Sequence, residues 1–129
     1  MPYAHLGAVA VGGTVGAISR YLVNLACARW LGDHFAFGTL TVNVLGCFLV
    51  GMLVPLGTAD LPRWNEVVHS ALTVGFVGAL TTFSSFGIET ACFLEDSQPG
   101  VAVLNVGSNM VLGLAAVFGG LLLGRWLIG

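Results

Sequence analysis

The sequence predicts an all-α integral membrane protein: four transmembrane helices in a single membrane domain spanning residues 1–129. Two observations carry that expectation. Hydrophobic residues fill 57% of the chain and glycine another 19 positions, while charged residues reach only 8%, against about 25% in soluble domains. Mean hydropathy is +0.95, and four Arg with six acidic side chains cannot cover a water-exposed surface. The second observation is placement. Charges and helix breakers gather in Arg29–His34, in Gly57–Glu66 (with Asp60, Pro62 and Arg63), and in Glu95–Gly100.

Between these clusters lie apolar runs of roughly 4–28, 38–57, 67–93 and 101–128. Each meets the ~20 residues that a helix needs to cross hydrocarbon. Lipid admits helices or closed barrels, and continuous apolar runs lack the alternation of barrel strands. A net charge of −2 without any Lys leaves no basic field for nucleic acid. Cys27, Cys47 and Cys92 are widely spaced and read as small apolar residues, not as a disulfide framework or thiolate metal site. Met1–Leu6 has no basic flank, so the N-terminus reads as a span and not as a cleavable signal.

The first span contains Gly12-x-x-x-Gly16, a spacing that lets helix backbones approach closely, and Arg20. Arg20 reads as an anion-attracting charge near a vestibule, or as a structural or snorkelling residue. In the second span Thr39 and Asn43, four apart, share a helix face. The Asn43 amide offers two N–H donors to an anion, or it serves as interhelical glue.

The third span is unusual. Gly75, Gly78 and Gly87 flank a polar run, Thr81, Thr82, Ser84 and Ser85, in mid-span. This predicts a helix broken within the membrane, whose freed carbonyls suit a small hard cation. The alternative is an unbroken helix with hydroxyls bonded back to their own turn. Phe83 and Phe86, three apart, line one face, and the positive edges of aromatic rings can meet a small anion; ordinary packing is the other reading. Glu89 reads as structural.

The fourth span carries Asn105, Ser108 and Asn109 as a donor-bearing stripe, or as glue, and a second close-approach motif, Gly120-x-x-x-Gly124. His5, His34 and His69 lack metal-ligand spacing. There is no phosphate loop, nucleophile elbow or carboxylate pair in a span, so the chain is not expected to be an enzyme.

Four spans place both termini on one side, with Arg63 and Arg125; Arg29, and Arg20 if it reaches outward, face the other. The balanced Arg count predicts insertion in both orientations, unless another feature sets a single one. So small a bundle also predicts a dimer.

Three stretches, Gly12-Gly-Thr-Val-Gly-Ala-Ile-Ser-Arg-Tyr21, Gly38-Thr-Leu-Thr-Val-Asn-Val-Leu-Gly46 and Gly75-Phe-Val-Gly-Ala-Leu-Thr-Thr-Phe-Ser-Ser-Phe86, resemble the Fluc/CrcB family of microbial fluoride channels. The resemblance covers essentially the whole chain. It implies an antiparallel, dual-topology homodimer in the plasma (inner) membrane of a microbe, with two fluoride pores and a structural sodium ion at the dimer axis. It assigns Asn43, Phe83 and Phe86 to the pore, with Thr39 and the fourth-helix stripe of Asn105, Ser108 and Asn109 as a polar track beside the rings; the Ser84 and Ser85 hydroxyls are further pore donors. Gly78 and Thr81 would give backbone carbonyls to sodium, Arg20 would sit near the vestibule, and Glu89 matches a third-helix glutamate. Relatives usually carry Tyr and Ser hydroxyls on the fourth helix, where this chain has Asn105, Asn109 and then Gly113; either Ser108 or Asn109 faces the ion.

The resemblance therefore implies passive fluoride export that lowers fluoride toxicity. Two other functions remain open to the sequence. A small four-helix proton-coupled drug exporter would want a carboxylate on the first helix, where this chain has only Arg20. A non-transporting membrane scaffold would use the polar residues as glue alone.

Overall fold

Apolar side chains in lipid leave the backbone no partner but itself, so the apolar runs wind into helices. A computed structural model describes residues 2–59 and 65–129. Asp60, Pro62 and Arg63 of the second connection lie outside the described residues. The elements are α1 (Pro2–Leu31), α2 (Phe37–Thr58), α3 (Glu66–Ser70), a π-helical stretch Ala71–Val77, α4 (Gly78–Leu80), α5 (Phe83–Glu95) and α6 (Pro99–Ile128). No strand occurs among the described residues. Four stretches, Tyr3–Leu31, Phe37–Thr58, Glu66–Glu95 and Pro99–Ile128, are long and apolar enough to cross a membrane. The four runs read from the sequence lie inside them.

Local chemistry sets the ends. Gly32 (φ +80°) closes α1 in a conformation that glycine adopts without strain. The Asn65 side chain accepts the Val68 N–H at 2.9 Å and starts α3. Pro99 opens α6 in its first turn, where the missing N–H costs nothing.

Packing follows the glycines. A Cβ on Gly12 would lie 2.1 Å from the Ala71 carbonyl oxygen, and one on Gly16 would lie 2.2 Å from that of Phe76. From the opposite side, a Cβ on Gly75 would sit 2.7 Å from Val9 O. The same device joins α2 to α6: an added Cβ would lie 2.1 Å from Phe48 O at Gly120, 2.5 Å from Met52 O at Gly124, and 2.3 Å from Val117 O at Gly51. Lipid supplies no hydrophobic drive between helices, so such backbone contact does the holding. Both close-approach motifs are thus used inside the chain, making two glycine-packed pairs, α1 with the π segment and α2 with α6.

Large apolar side chains such as Val11, Leu22, Phe118 and Leu122 are exposed, whereas Thr39, Thr82, Asn105 and Asn109 are buried. The polar atoms gather where α2, α5 and α6 approach one another: Thr39 reaches Glu89, Asn43 reaches Asn109, and Asn105 reaches Thr90.

Candidate functional site

The third span stops at Leu80. Thr81 (φ −79°, ψ 156°) and Thr82 (φ −152°, ψ 110°) are extended, and α5 begins at Phe83. Thr82 is the N-cap of α5, its hydroxyl oxygen accepting the Ser85 N–H at 3.1 Å. The extended pair leaves backbone groups without helical partners, and α2 supplies them. Asn43 Oδ1 accepts the Thr82 N–H at 2.8 Å, and Asn43 Nδ2 donates to Thr82 O at 3.3 Å. One side-chain amide thus pairs with both backbone groups of a single residue. Gly46, one turn along α2, makes room for the pair, since a Cβ there would lie 2.1 Å from Thr81 Cγ2.

This pairing redirects the Thr82 N–H away from Gly78 O, the carbonyl it would meet in a continuous helix. Thr81 N–H still donates to Val77 O at 3.1 Å, and Thr81 O accepts from Arg20 Nη1 at 3.3 Å. Gly78 and Thr81 carbonyls are the donor type that hard cations prefer. One of these two oxygens, Thr81 O, already accepts from the Arg20 guanidinium.

Beside the break is a cavity of about 450 Å³ whose walls include Asn43, Cys47, Thr82, Phe83, Phe86 and Asn109. The two rings lie 5.4 Å apart between centroids and are tilted by 51°. Phe86 is buried at 8% exposure and Phe83 is 77% exposed, so one ring is fixed in the chain and the other stands at its open face. From α6, Asn109 Oδ1 accepts from Asn43 Nδ2 at 3.0 Å, and Asn109 Nδ2 donates to Asn105 O at 2.9 Å and to Asn105 Oδ1 at 3.2 Å. Asn105 Nδ2 donates to Thr90 Oγ1 at 2.9 Å, and that hydroxyl donates to Phe86 O at 2.7 Å.

Other residues go elsewhere. Thr39 donates its hydroxyl to Glu89 Oε1 at 2.6 Å. Together with Asn24 and Asp33 they line a separate space of about 130 Å³ near the α1–α2 connection, room for a few waters at ~30 Å³ each. Glu89 Oε2 is buried with no partner among the described residues. Arg20 and Glu89 have different partners and do not bond to each other. Ser108 bonds back to Leu104 O at 2.7 Å and to Asn105 O at 3.2 Å on its own helix. Ser84 shares a 3.2 Å hydrogen bond with the Thr82 hydroxyl, and Ser85 Oγ accepts from that hydroxyl at 3.0 Å. Of the fourth-span stripe, Asn109 reaches the cavity and Asn105 stands behind it.

The family profile described as "CrcB-like protein, Camphor Resistance (CrcB)" matches residues 7–121, a stretch that includes every residue of this site. The chain belongs to the CrcB family.

This CrcB-family chain is a multi-pass membrane protein. It is 40% identical over 123 residues to a "Fluoride-specific ion channel FluC" of Acidobacterium capsulatum, covering 93% of this chain and 95% of that protein. It is 41% identical to the protein of the same name from Magnetococcus marinus, covering 91% and 94%. Identity to its namesake in Hydrogenovibrio crunogenus is 42%, covering 94% and 91%.

Of the residues that organise the CrcB site, Thr82 was read from the sequence only as part of the mid-span polar run, and Thr90 was not read at all. Thr82 had a local signal, a Thr before Phe-Ser-Ser, the arrangement of an N-cap and its first turn. Thr90 had none, because its role depends on Asn105 across the α5–α6 turn.

Proposed function

We propose that this CrcB-family protein is a fluoride-selective channel, not an enzyme, that lets the ion leave a microbial cytoplasm passively across the inner membrane. The observation that carries the proposal is one cavity in which the amides of Asn43 and Asn109 meet the rings of Phe83 and Phe86, in a chain of this ancestry. Fluoride is small and holds water tightly, so a pore has to replace that shell with N–H and O–H donors and with positive ring edges. Conduction also requires that the ion leave easily. Amides and ring edges carry no full charge, which suits both demands. Arg20, close to the break, adds positive potential without standing in the cavity.

The pore is completed by a second, antiparallel copy of the chain. The 77% exposure of Phe83 at the cavity's open face supports this. The break, placed mid-membrane, holds sodium on the Gly78 and Thr81 carbonyls. Two oxygens are too few for a hard cation that takes about six or more, so the paired copy supplies more. Sodium there is structural, and its charge favours anions nearby.

Purified protein in liposomes is expected to release fluoride rapidly and chloride negligibly; equal leak of both halides would refute the channel. Phe83→Ile and Phe86→Ile should each cut fluoride release while the dimer still elutes intact, because apolar volume stays and the ring edge is lost. Replacing sodium by a bulky organic cation should lower the melting temperature of the dimer, and an unchanged value would remove the sodium site. A drug exporter would instead move cationic dyes with a proton dependence, and a scaffold would pass no ion.

A further inference from the structure

The hydrogen bonds around the cavity form a closed, directed circuit. It begins at Thr82 N–H, which can only donate, so Asn43 turns Oδ1 towards it and Nδ2 towards α6. It ends at Phe86 O, which can only accept, so the Thr90 hydroxyl donates there and accepts from Asn105 Nδ2. Asn105 Oδ1 is then left for Asn109 Nδ2 at 3.2 Å. Both ends of the circuit lie on α5 or its cap, and both demand that Asn109 present its oxygen to Asn43. The orientation of that oxygen is thus dictated twice, independently.

The circuit also uses up the Asn43 donors. A side-chain amide has two N–H groups, and those of Asn43 are given to Thr82 O and to Asn109 Oδ1. An anion entering the cavity meets an amide whose protons are already held. Thr82 O is backbone and is held by the paired Thr82 N–H contact. Asn109 lines the cavity, and its amide nitrogen is anchored on Asn105 O and Asn105 Oδ1, so its oxygen leaves Asn43 by a small swing about that anchor and not by a flip.

We infer that Asn109 Oδ1 is a resident stand-in for the ion: fluoride takes its place on Asn43 Nδ2, and the oxygen returns when fluoride moves on. This rests on the channel reading and adds to it a selectivity-determining residue. The exchange swaps one acceptor for another, so the N–H is never left bare, which is the costly outcome in a buried site. A charge-assisted bond is stronger than a neutral one, so fluoride can displace the oxygen. The return of the oxygen assists exit. An amide oxygen and a fluoride ion are similar in size, so a space shaped by the one admits the other, and chloride is too large for it.

The test measures fluoride release from liposomes against fluoride concentration for wild type, Asn109→Ala and Asn109→Asp. Asn109→Ala removes the competitor, so the half-saturating concentration should fall severalfold and the maximal rate should drop as exit slows. Asn109→Asp places a charged acceptor there, so half-saturation should rise and release should fall steeply. A purely structural Asn109 would reduce the amount of working protein with half-saturation unchanged in both variants, and that result overturns the inference. Side-chain amide NMR signals of Asn43 give a readout free of folding losses: in wild type they should shift with potassium fluoride and not with potassium chloride. Signals indifferent to fluoride in a conducting wild type would also overturn it. A wild type that passes no fluoride instead sinks the channel reading beneath it.

Discussion

Gly46 shows how one missing side chain shapes the site. The Thr81 methyl fills the place where its Cβ would be, and the Thr81 hydroxyl is tied to Val77 O at 3.1 Å, so that methyl has little freedom to retreat. Gly46→Val should therefore push the extended Thr81–Thr82 pair off α2 at about 1–3 kcal/mol, the usual cost of overpacking. A fall in both melting temperature and fluoride release would show it; an unaltered melting temperature would mean that α2 yields instead. Asn43, Phe83, Phe86 and Asn109 were legible in the sequence because a polar or paired aromatic residue stands out in an apolar span. Their partners were less so. Asn43 and Thr82 are separated by 39 residues, and no local pattern encodes a contact at that range. Hydroxyls were the least legible, since Ser108 and Thr14 bond back to their own helices as readily as they could face an ion.

At the scale of elements, glycines divide into those that touch backbone and those that touch nothing. A Cβ at Gly120 would meet Phe48 O at 2.1 Å and Met52 N at 2.8 Å, whereas one at Gly7 would meet nothing within 4 Å. Gly120→Leu should separate α2 from α6 and abolish recovery of folded protein. Gly7→Ala should be neutral or stabilising by up to ~1 kcal/mol, since Ala is the better helix former. Thermal unfolding of the two variants in detergent checks the contrast, and similar effects in both would refute glycine-on-backbone packing. Sequence spacing indicated the close approach at Gly12, Gly16, Gly120 and Gly124 but not its partner, because any helix can fill a glycine groove. The four spans were the most legible feature of all, since hydrophobic length is set by the bilayer and not by contacts between residues.

For the whole molecule, an antiparallel dimer requires chains inserted both ways up. Terminal reporter fusions should find the shared end of the chain on both faces of the membrane. A single location would exclude that assembly. The π-helical stretch Ala71–Val77 bears on the same assembly, for it carries the α1 contacts and leads into the break. Such a turn winds in one more residue than an ordinary one. A single codon removed from this stretch would therefore be absorbed as the wide turn tightens to the common pitch, leaving the threonine pair close to its present bearing. The same excision from an ordinary helix such as α6 would swing everything beyond it by about 100°. The wide turn is a length buffer, and fluoride release should survive the first excision and not the second.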